Sequence, residues 1–279
     1  MLSYQHGFHA GNHADVLKHT VLTAILAHLV AKDRPVRCID THAGAGTYDL
    51  NSAAAQRNRE HAEGIGRLWS ATDAPEAVAR LLELARGYNG PGALRRYPGS
   101  PWLARALLRA TDQLYLFEMH PAEHRKLARD FGRARHVRVL REDGLTGSIG
   151  LVPPPGRRGL LFVDPSYERA EEHGLVQDAM VKAHQRFATG VIAIWYPVID
   201  RRAADRFERA LRATRLAPFS TYELCVAEAG RDRGLFGSGL FVVNPPWPLD
   251  DEIEAALPWL AAKLDRDGGA SWRCVRARK

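Results

Sequence analysis

The stretch "RPVRCIDTHAGAGTYDL", residues 34 to 50, decides which fold this sequence predicts. Its apolar run from Val36 to Ile39 has the composition of a buried strand, and the run ends on Asp40. A loop with two glycines follows the acid at once. Ligands of open α/β sheets bind at the carboxyl ends of the strands. The stretch therefore indicates a strand that opens into a nucleotide site.

The two glycines of this loop, Gly44 and Gly46, would let the backbone approach a bound ligand closely. The dinucleotide pattern requires a further glycine three positions on, and this chain has none there. The loop therefore fits an adenosine joined to an amino acid better than a pyrophosphate, and it disfavours a nicotinamide-dependent oxidoreductase. A plain turn between a strand and a helix is the alternative.

Helices and strands alternate along most of the chain. A first helix is predicted from about residue 13 to residue 31, with Asn12 and Asp15 in the positions of a capping box. Six strands are predicted after the first, in "QLYLFEMH" (113–120), "HVRVLREDG" (136–144), "GLLFVDPSY" (159–167), "GVIAIWYPV" (190–198), "TYELCVAEA" (221–229) and "GLFVVNPPW" (239–247). This alternation predicts an α/β fold with a Rossmann-like, mostly parallel seven-stranded sheet and helices on both faces, in one domain over residues 1 to 279.

The segment from residue 51 to residue 97 interrupts this alternation. It contains no comparable strand, but "PEAVARLLELARGY" carries apolar residues at helical intervals. We predict a helical insertion subdomain there, closed by a turn from Pro98 to Pro101.

The chain is basic. Of its 279 residues, 39 are lysine or arginine, and the formal net charge is +7. Basic side chains release counterions when they bind phosphates, so a nucleic-acid partner is favoured. A solvated basic surface is the alternative, because arginine and alanine are frequent throughout the sequence.

Two absences in the sequence bear on location. The N-terminal sequence lacks the apolar core of a signal peptide, and no apolar run approaches the length that spans a bilayer. Cys38, Cys225 and Cys274 are far apart and too few for a disulfide framework. We therefore expect a cytoplasmic protein with no membrane association.

Asp164 ends the fourth predicted strand and is followed by Pro165, Ser166 and Tyr167. Because the lone pair of an aromatic amine is delocalised into its ring, a site that methylates such an amine must favour a pyramidal nitrogen. The Asp164 carboxylate and the Pro165 carbonyl can accept the two amine hydrogens and aim the lone pair. Stacking of the base on the Tyr167 ring would contribute about 1 to 3 kcal/mol. An Asp164 that only caps a helix is the alternative.

Two further acids end predicted strands. Glu118 is placed to accept hydrogen bonds from ribose hydroxyls, and Asp143 could accept the adenine amine of a cofactor. A surface acid is the alternative for each. The sequence "NPPW" at residues 244 to 247 repeats the Asp164 pattern with an amide. Because Asn244 ends the last strand, away from the glycine loop, we assign it to packing or a turn.

Histidines are frequent near the N-terminus. His6, His9, His13 and His19 could bind a metal, but their spacing is irregular and no cysteine or carboxylate pair completes a tetrahedral set. No metal is therefore predicted. His19 and His42 could line a cofactor pocket, with structural hydrogen bonding as an equal alternative.

Several segments taken together resemble one protein family. They are "MLSYQHGFHAGNHADVLKH" (1–19), "DTHAGAGTYDL" (40–50), "YPGSPWLARALLR" (97–109), "VDPSYE" (163–168), "FATGVIAIWYPV" (187–198) and "SGLFVVNPPWPL" (238–249). They closely resemble the bacterial 23S rRNA adenine-N6 methyltransferase family RlmJ, and the match runs nearly end to end. The N-terminal segment is its most specific part.

The resemblance implies an enzyme that uses S-adenosylmethionine to methylate one adenine of 23S rRNA. It implies cofactor contacts from His19, His42, Ser100, Glu118, Asp143, Gly144 and Asp164. Asp164 would be the catalytic residue. Tyr4 and Lys18 would lie near the target nucleotide, where a cation suits a phosphate or a developing negative charge. Ser166 replaces the second proline of the usual D-P-P-Y pattern, which restores a backbone N–H.

We therefore expect an enzyme that takes an adenine out of its stack and seats it against Tyr167. The helical insertion and the arginine-rich surface would grip phosphates. No separate RNA-binding module is visible, so we expect protein-free 23S rRNA, before full subunit assembly, to be the substrate. We also expect a monomer. A DNA adenine-N6 or RNA guanine-N2 methyltransferase is the nearest alternative, because those amines fit the same acceptors. A non-catalytic RNA-binding protein is the second.

Overall fold

The computed structural model describes residues 5–216, 218–230 and 234–277. The strands are β1 (Arg37–Asp40), β2 (Thr47–Asp49), β3 (Arg96–Pro98), β4 (Gln113–Phe117), β5 (Val137–Leu140), β6 (Gly159–Val163), β7 (Val191–Val198), β8 (Phe219–Cys225), β9 (Gly237–Val243) and β10 (Ser271–Ala277). The α-helices are α1 (His13–Val30), α2 (Ala53–Asn58), α3 (Glu60–Glu63), α4 (Ile65–Leu68), α5 (Glu76–Asn89), α6 (Ser100–Leu107), α7 (Pro121–Phe131), α8 (Gly144–Gly147), α9 (Glu172–Arg186), α10 (Arg201–Ala213) and α11 (Leu249–Leu264). Short 3-10 helices span His6–Phe8 and Ser148–Leu151.

The main sheet has the strand order β10-β8-β9-β7-β6-β1-β4-β5. Strands β5, β4, β1, β6 and β7 run parallel to one another. The pairings of β7 with β9, β9 with β8 and β8 with β10 are antiparallel. In the sheet, β1 lies between β4 on one side and β6 on the other. The carboxyl ends of these three strands therefore meet at a switch point, which is where α/β sheets bind ligands.

The predicted α/β architecture is confirmed, with one correction to the strand count. The sheet contains eight strands in the described residues rather than seven, because β10 pairs antiparallel with β8. The segment that forms β10 has no apolar run, because β10 is an edge strand whose arginines pair with acids. Arg273 binds Glu223, and Arg276 binds Asp251.

The core lies on both faces of the sheet, as the alternation of side chains along a strand requires. In β6, Leu160 and Phe162 pack in the same apolar cluster as residues of α1, α5 and α11. Leu161 and Val163 pack in the opposite cluster with residues of α9 and α10. The prediction of helices on both faces is therefore confirmed.

Helix α1 lies deep in this core, and its start is fixed by a side-chain cap. The Asn12 side chain accepts a hydrogen bond from the Asp15 backbone N–H at 2.9 Å, which satisfies an otherwise unpaired donor of the first turn. Every residue from His13 to Leu26 is buried, including charged Asp15 and Lys18. The helix therefore carries polar groups into the interior as well as apolar ones.

The segment 51–97 contains α2 to α5 between two paired strands, β2 and β3. The hairpin was not predicted, and it brings the two ends of the segment together. Val78 and Leu82 of α5 belong to the same apolar cluster as α1, so this segment shares its core with the rest of the molecule. Its description as an insertion subdomain stays a prediction. No helix in the described ranges is both long and apolar enough to span a membrane.

Candidate active site

A cleft of about 1000 Å³ lies where the strands of the switch point end. Its walls include Thr41 and His42 after β1, Glu118 after β4, and Asp164 after β6. Helix α1 forms another wall through residues that include Lys18. The cleft thus gathers side chains from segments that are far apart in sequence.

Lys18 links two carboxylates at one end of this cleft. Its Nζ lies 2.7 Å from Asp164 Oδ2 and 2.8 Å from Asp15 Oδ1. Lys18 is 4% exposed and Asp15 is 1% exposed. Because buried charges are costly unless they are paired, the three groups have to be considered together. This arrangement places Lys18 beside the acid that the sequence predicts to be catalytic.

The environment sets the charge of each carboxyl. Burial raises the pKa of Asp164, and the positive charge of Lys18 opposes that rise. Burial also acts to raise the pKa of Asp15, but the charges of His6 and Lys18 outweigh it and hold that pKa well below its ordinary value. Asp15 also accepts hydrogen bonds from the Gly11 N–H at 2.8 Å and from His6 at 2.9 Å. Asp15 is therefore a fixed negative charge behind Lys18.

Asp40 is a buried acid to which the sequence analysis gave no function. Its carboxylate accepts hydrogen bonds from the Ser100 hydroxyl at 2.6 Å and the His42 N–H at 3.1 Å. Burial raises its pKa to about 7, and the hydrogen bond from Ser100 opposes the rise. The negative charge of Asp164 raises it further. The signal was present in the sequence, because an acid ended the first strand, but its partner Ser100 is 60 residues away.

The glycine loop depends on residues that have no side chain. Gly44 has a φ of +59°, and a Cβ there would lie 2.3 Å from the Tyr48 hydroxyl oxygen. Gly46 has a φ of +80°, and a Cβ there would lie 2.5 Å from the Phe131 ring. Gly44 lines the cleft, whereas Gly46 is not among its lining residues. The structure therefore places only the first of these two glycines at the candidate site.

Glu118 connects the loop after β4 to the glycine loop. Its carboxylate accepts hydrogen bonds from the Gly44 N–H at 2.9 Å and the His120 N–H at 2.6 Å. Burial raises its pKa above the ordinary value. A carboxylate has about four acceptor positions, so both oxygens can still accept from a diol. This is the chemistry expected of a ribose-binding acid.

Asp143 and Gly144 lie on the adjoining wall. The Asp143 side chain caps α8, where it accepts hydrogen bonds from the Leu145 N–H at 3.1 Å and the Thr146 hydroxyl at 2.6 Å. A Cβ on Gly144 would lie 2.1 Å from the Thr41 carbonyl oxygen. Glycine is therefore required for the two loops to approach, and the predicted cofactor contacts of both residues stay predictions.

The two histidines that were proposed for the pocket line the cleft and are neutral. Burial lowers the pKa of His42 to about 4 and that of His19 to about 3. His42 Nδ1 lies 2.8 Å from the Thr41 hydroxyl, and His19 Nδ1 lies 2.8 Å from the Tyr97 hydroxyl. Both therefore have structural hydrogen bonds on one nitrogen while they face the cleft.

The other N-terminal histidines have separate partners. His6 binds Asp15, His9 binds Glu60 at 2.9 Å, and His13 lies 3.2 Å from the Leu235 carbonyl oxygen. Across the part of the chain that the structure describes, no group of three or more histidine, cysteine or carboxylate side chains is arranged to hold a metal ion.

Tyr167 differs from the rest of its motif in position. Pro165 and Ser166 line the cleft, but Tyr167 is not among the lining residues. It has a φ of +53°, its hydroxyl donates to the Trp195 carbonyl at 2.7 Å, and its ring centroid lies 4.7 Å from that of His173. The predicted stacking of a base on Tyr167 therefore stays a prediction. Tyr4, the other aromatic residue proposed for the substrate, lies outside the described residues.

Asn244 has a local structural function. Its amide donates hydrogen bonds to the carbonyls of Ala188 and Gly190, each at 2.8 Å, in the loop before β7. This agrees with its assignment to packing or a turn. The second copy of the motif therefore stabilises a loop of the fold, and its Asn244 does not line the cleft.

A parallel sheet with a glycine loop after its central strand and acids after the neighbouring strands defines a Rossmann-like methyltransferase fold. Comparisons with known proteins identify the family. A family model described as "Ribosomal RNA large subunit methyltransferase D, RlmJ" matches residues 33–275. The chain therefore belongs to the RlmJ family of ribosomal RNA large subunit methyltransferases, and it is a methyltransferase.

Individual relatives cover nearly the whole chain. Ribosomal RNA large subunit methyltransferase J of Escherichia coli strain K12 is 44% identical over 264 residues, which is 95% of this chain and 94% of the relative. The protein of the same name from Haemophilus influenzae is 42% identical over 273 residues, which is 98% of this chain and 97% of the relative. A crystal structure of a protein from Legionella pneumophila superposes with a TM-score of 0.90 at 36% identity and covers 97% of this chain and 99% of that one.

Proposed function

We propose that this protein transfers a methyl group from S-adenosylmethionine to N6 of one adenine in 23S rRNA. The observation that carries the proposal is Asp164 at the end of β6, with its side chain 12% exposed and its Oδ2 held at 2.7 Å by Lys18. The names of the Escherichia coli and Haemophilus influenzae relatives support large-subunit ribosomal RNA as the substrate class.

The residues around the glycine loop fit this cofactor. Glu118 would accept hydrogen bonds from the ribose hydroxyls. Because Gly44 and Gly144 have no side chain, the backbone there would be able to contact the cofactor closely. Asp143, Ser100 and the neutral histidines His19 and His42 would complete the binding site. When bound, S-adenosylmethionine supplies a methyl group made electrophilic by its sulfonium.

Asp164 would orient the target amine. Lys18 occupies Oδ2, which leaves Oδ1 and the Pro165 carbonyl oxygen as acceptors for the two amine hydrogens. Holding both hydrogens turns the nitrogen lone pair out of conjugation and toward the methyl donor. Lys18 would thus act on the carboxylate, rather than on an RNA phosphate as its basic character alone suggests.

The reaction forms an N–C bond and breaks the C–S bond of the donor. The methylated nitrogen then carries a positive charge and loses one hydrogen as a proton. We propose that Asp164 accepts that proton, because burial raises the pKa of its carboxyl and so makes the carboxylate a stronger base. No further catalytic group is needed for this sequence of steps.

The target adenine must leave its stack to reach Asp164. We propose that Tyr167 or Tyr4 supplies a stacking face for it. We further propose that the helical segment 51–97 is an insertion subdomain, that the protein acts as a cytoplasmic monomer, and that protein-free 23S rRNA is its substrate before subunit assembly. Ser166, in place of a second proline, lines the same cleft.

The test is product analysis. Purified protein would be incubated with S-adenosylmethionine and 23S rRNA from cells that lack it, and the nuclease-digested RNA would be examined by mass spectrometry. N6-methyladenosine at one position supports the proposal. N2-methylguanosine, or methylation of DNA alone, would identify the alternative enzymes. A protein that binds RNA but not S-adenosylmethionine would instead be the non-catalytic alternative.

A second arm of the test uses Asp164→Asn, which keeps the shape and one acceptor oxygen but removes the charge. We expect S-adenosylmethionine binding to change by less than about tenfold and turnover to fall by about a hundredfold or more. Wild-type turnover in this variant would rule out the function of the carboxylate. Equal methylation of intact subunits and free rRNA would argue against a preference for protein-free RNA.

A further inference from the structure

The cleft extends past Asp164 on the side away from the residues assigned to the cofactor. Glu118 and Asp143 follow β4 and β5, which lie on one side of β6 in the strand order. The connection between β8 and β9 lies on the other side of β6, beyond β7. Residues of that connection also line the cleft. We call this end of the cleft the distal lobe, and its wall includes His13, Leu235, Phe236 and Arg266.

Strand pairing places the distal lobe at the same edge of the sheet as Asp164. Val198, the last residue of β7, pairs with Gly237, the first residue of β9. Gly237 also pairs with Cys225, the last residue of β8. Because β7 runs parallel to β6, its carboxyl end lies at the edge where Asp164 follows β6. The connection between β8 and β9 therefore lies at that edge too.

The backbone at Arg266 is fixed beside this connection. Its N–H donates to the Val226 carbonyl at 2.8 Å, and Val226 directly follows β8. The Arg67 guanidinium donates to the carbonyl oxygen of Asp265 at 2.5 Å. The Asp265 side chain accepts a hydrogen bond from the Gly268 N–H at 2.9 Å. Arg266 is therefore held by the fold at the edge of the sheet that carries the cleft.

The charge of Arg266 acts on the distal lobe and has no acidic partner there. Burial lowers the pKa of His13, and the positive charge of Arg266 lowers it further. His13 Nε2 lies 3.2 Å from the Leu235 carbonyl oxygen, so His13 belongs to the wall of this lobe. Arg266 is exposed, and no carboxylate in the described ranges lies within salt-bridge distance of it. Its charge is therefore available to a ligand.

The other lysines and arginines that line the cleft are paired or lie on another face of the sheet. Lys18 contacts two carboxylates, and Arg169 lies 3.4 Å from Glu172. Lys182 lies about 15 Å along α9 from its start, at about 1.5 Å per residue. α9 packs on the face of the sheet opposite α1, whereas α11, which leads to Arg266, packs on the α1 face. Arg266 is therefore the unpaired cation on the side where Lys18 approaches the end of β6.

Two acids near the distal lobe do not neutralise Arg266. Glu60 lines the cleft, but its two oxygens lie 2.9 Å from His9 Nδ1 and 2.9 Å from the Asn12 amide nitrogen. Glu228 also lines the cleft, and its exposed side chain makes no ion pair with Arg266. Helix α1 begins at this lobe, and the positive end of its dipole favours an anion there. The lobe can therefore accept a negatively charged group beside Arg266.

We propose that Arg266 binds a backbone phosphate of the ribosomal RNA at the nucleotide whose adenine enters the cleft. This inference rests on the proposed function and adds the residue that positions its substrate. In that reaction the amine lies between Asp164 and the cofactor, so the phosphate must lie outside the cofactor's end of the cleft. Arginine suits the task because its planar guanidinium donates two parallel hydrogen bonds to a phosphate. The contact gives affinity and register rather than sequence readout.

The test compares Arg266→Gln with a matched control, Arg34→Gln. Each variant loses one exposed arginine, but Arg34 precedes β1 and so lies at the amino ends of the parallel strands, away from the cleft. A third variant, Arg266→Lys, keeps the charge and loses the planar fork. Binding to protein-free 23S rRNA and the kinetics of its methylation would be measured over a range of salt concentrations.

For Arg266→Gln, we expect the affinity for rRNA to fall by about tenfold at low salt. The slope of log affinity against log salt should decrease by about 0.7 to 0.9, the value for one lost phosphate contact. The KM for rRNA should rise while kcat stays within about twofold, because Arg266 lies outside the reacting groups. Arg266→Lys should keep the slope and lose less affinity, and Arg34→Gln should match the wild type in both. S-adenosylhomocysteine binding and Tm should be unchanged in all three variants.

Two outcomes would overturn the inference. Wild-type affinity and slope in Arg266→Gln would mean that the phosphate lies elsewhere, even with full methylation by the wild type. Equal losses in Arg266→Gln and Arg34→Gln would mean that total charge, rather than the position of Arg266, attracts the RNA. Failure of the proposed function is recognised separately, because the wild type would then bind rRNA in a salt-dependent way without forming N6-methyladenosine.

Discussion

Replacing Lys18 with methionine tests the ion pair at the centre of the site. The Lys18 ammonium contacts Asp15 at 2.8 Å and Asp164 at 2.7 Å, with side-chain exposures of 5%, 1% and 12% respectively. Removing one partner of a buried pair typically costs about 3 to 5 kcal/mol, because the remaining charge is uncompensated. In a chain of this size each kcal/mol lowers Tm by about 2 to 4 °C, so we expect a fall of about 6 to 20 °C.

The same change should alter the pH dependence of turnover. Without Lys18, the main opposition to burial is lost and only the charge of His6 still acts to lower the pKa of Asp164, so that pKa rises further. A protonated carboxyl is a weaker hydrogen-bond acceptor than a carboxylate, and it can no longer take up the proton that the methylated amine loses. The acidic limb of the kcat profile should therefore move to higher pH. Single-turnover methylation of 23S rRNA, measured across the pH range at saturating cofactor, would show the shift.

A double variant separates stability from chemistry. Adding Asp15→Asn to Lys18→Met removes the second unpaired carboxylate, so much of the lost Tm should return. The pH shift should remain, because Asp164 still lacks its cation. An unchanged acidic limb in both variants would refute the claim that Lys18 keeps Asp164 ionised. An unchanged Tm in the single variant would refute the energetic argument.

Three further predictions concern Asp40, His13 and Gly44. In denaturant titrations, Asp40→Asn should be about 4 kcal/mol more stable than the wild type above about pH 7 and equally stable below about pH 4. The reason is that folding raises the pKa of Asp40 from 3.8 to about 7, so the wild type loses stability as the pH rises through that interval. Burial lowers the pKa of His13 from 6.5 to about 4, so the wild type loses about 3 kcal/mol of stability as the pH falls from 6.5 to about 4. His13→Gln should not show this loss. Gly44→Ala should weaken S-adenosylhomocysteine binding by about tenfold or more in calorimetry, with partial recovery on adding Tyr48→Phe, because the new Cβ would lie 2.3 Å from the Tyr48 hydroxyl.

The strand ends could be predicted because their signals are local. An apolar run followed by an acid identified the ends of β1, β4 and β6, and the order of these strands implied that Glu118 and Asp164 would face one cleft. The partners of these acids could not be predicted in the same way. Lys18 and Asp164 are 146 residues apart, and no periodicity connects them. The function of Asp40 likewise depends on burial and on Ser100, which only the folded chain brings together.

Two other features were hidden by competing physical effects. β10 was missed because this edge strand has no apolar run. Its arginines instead pair with acids on β8 and α11. The turn after Asp164 bends Tyr167 into a left-handed conformation, with its hydroxyl on the Trp195 carbonyl. The sequence of a motif gives the residue types, but it does not give the direction in which each side chain points.

The position of the Lys18 ion pair argues for function more strongly than for stability. Replacing buried ion pairs with apolar side chains of similar volume is often neutral or stabilising, so selection for stability alone would not retain one. Here the pair joins α1 to the end of β6, where Asp164 would need a fixed orientation and a negative charge. Asp15, which is itself fixed by the Gly11 N–H and His6, balances the added cation. If Asp164 accepts the hydrogens of the target amine, as proposed, the desolvation cost of the ion pair is the cost of keeping that carboxylate charged and in place.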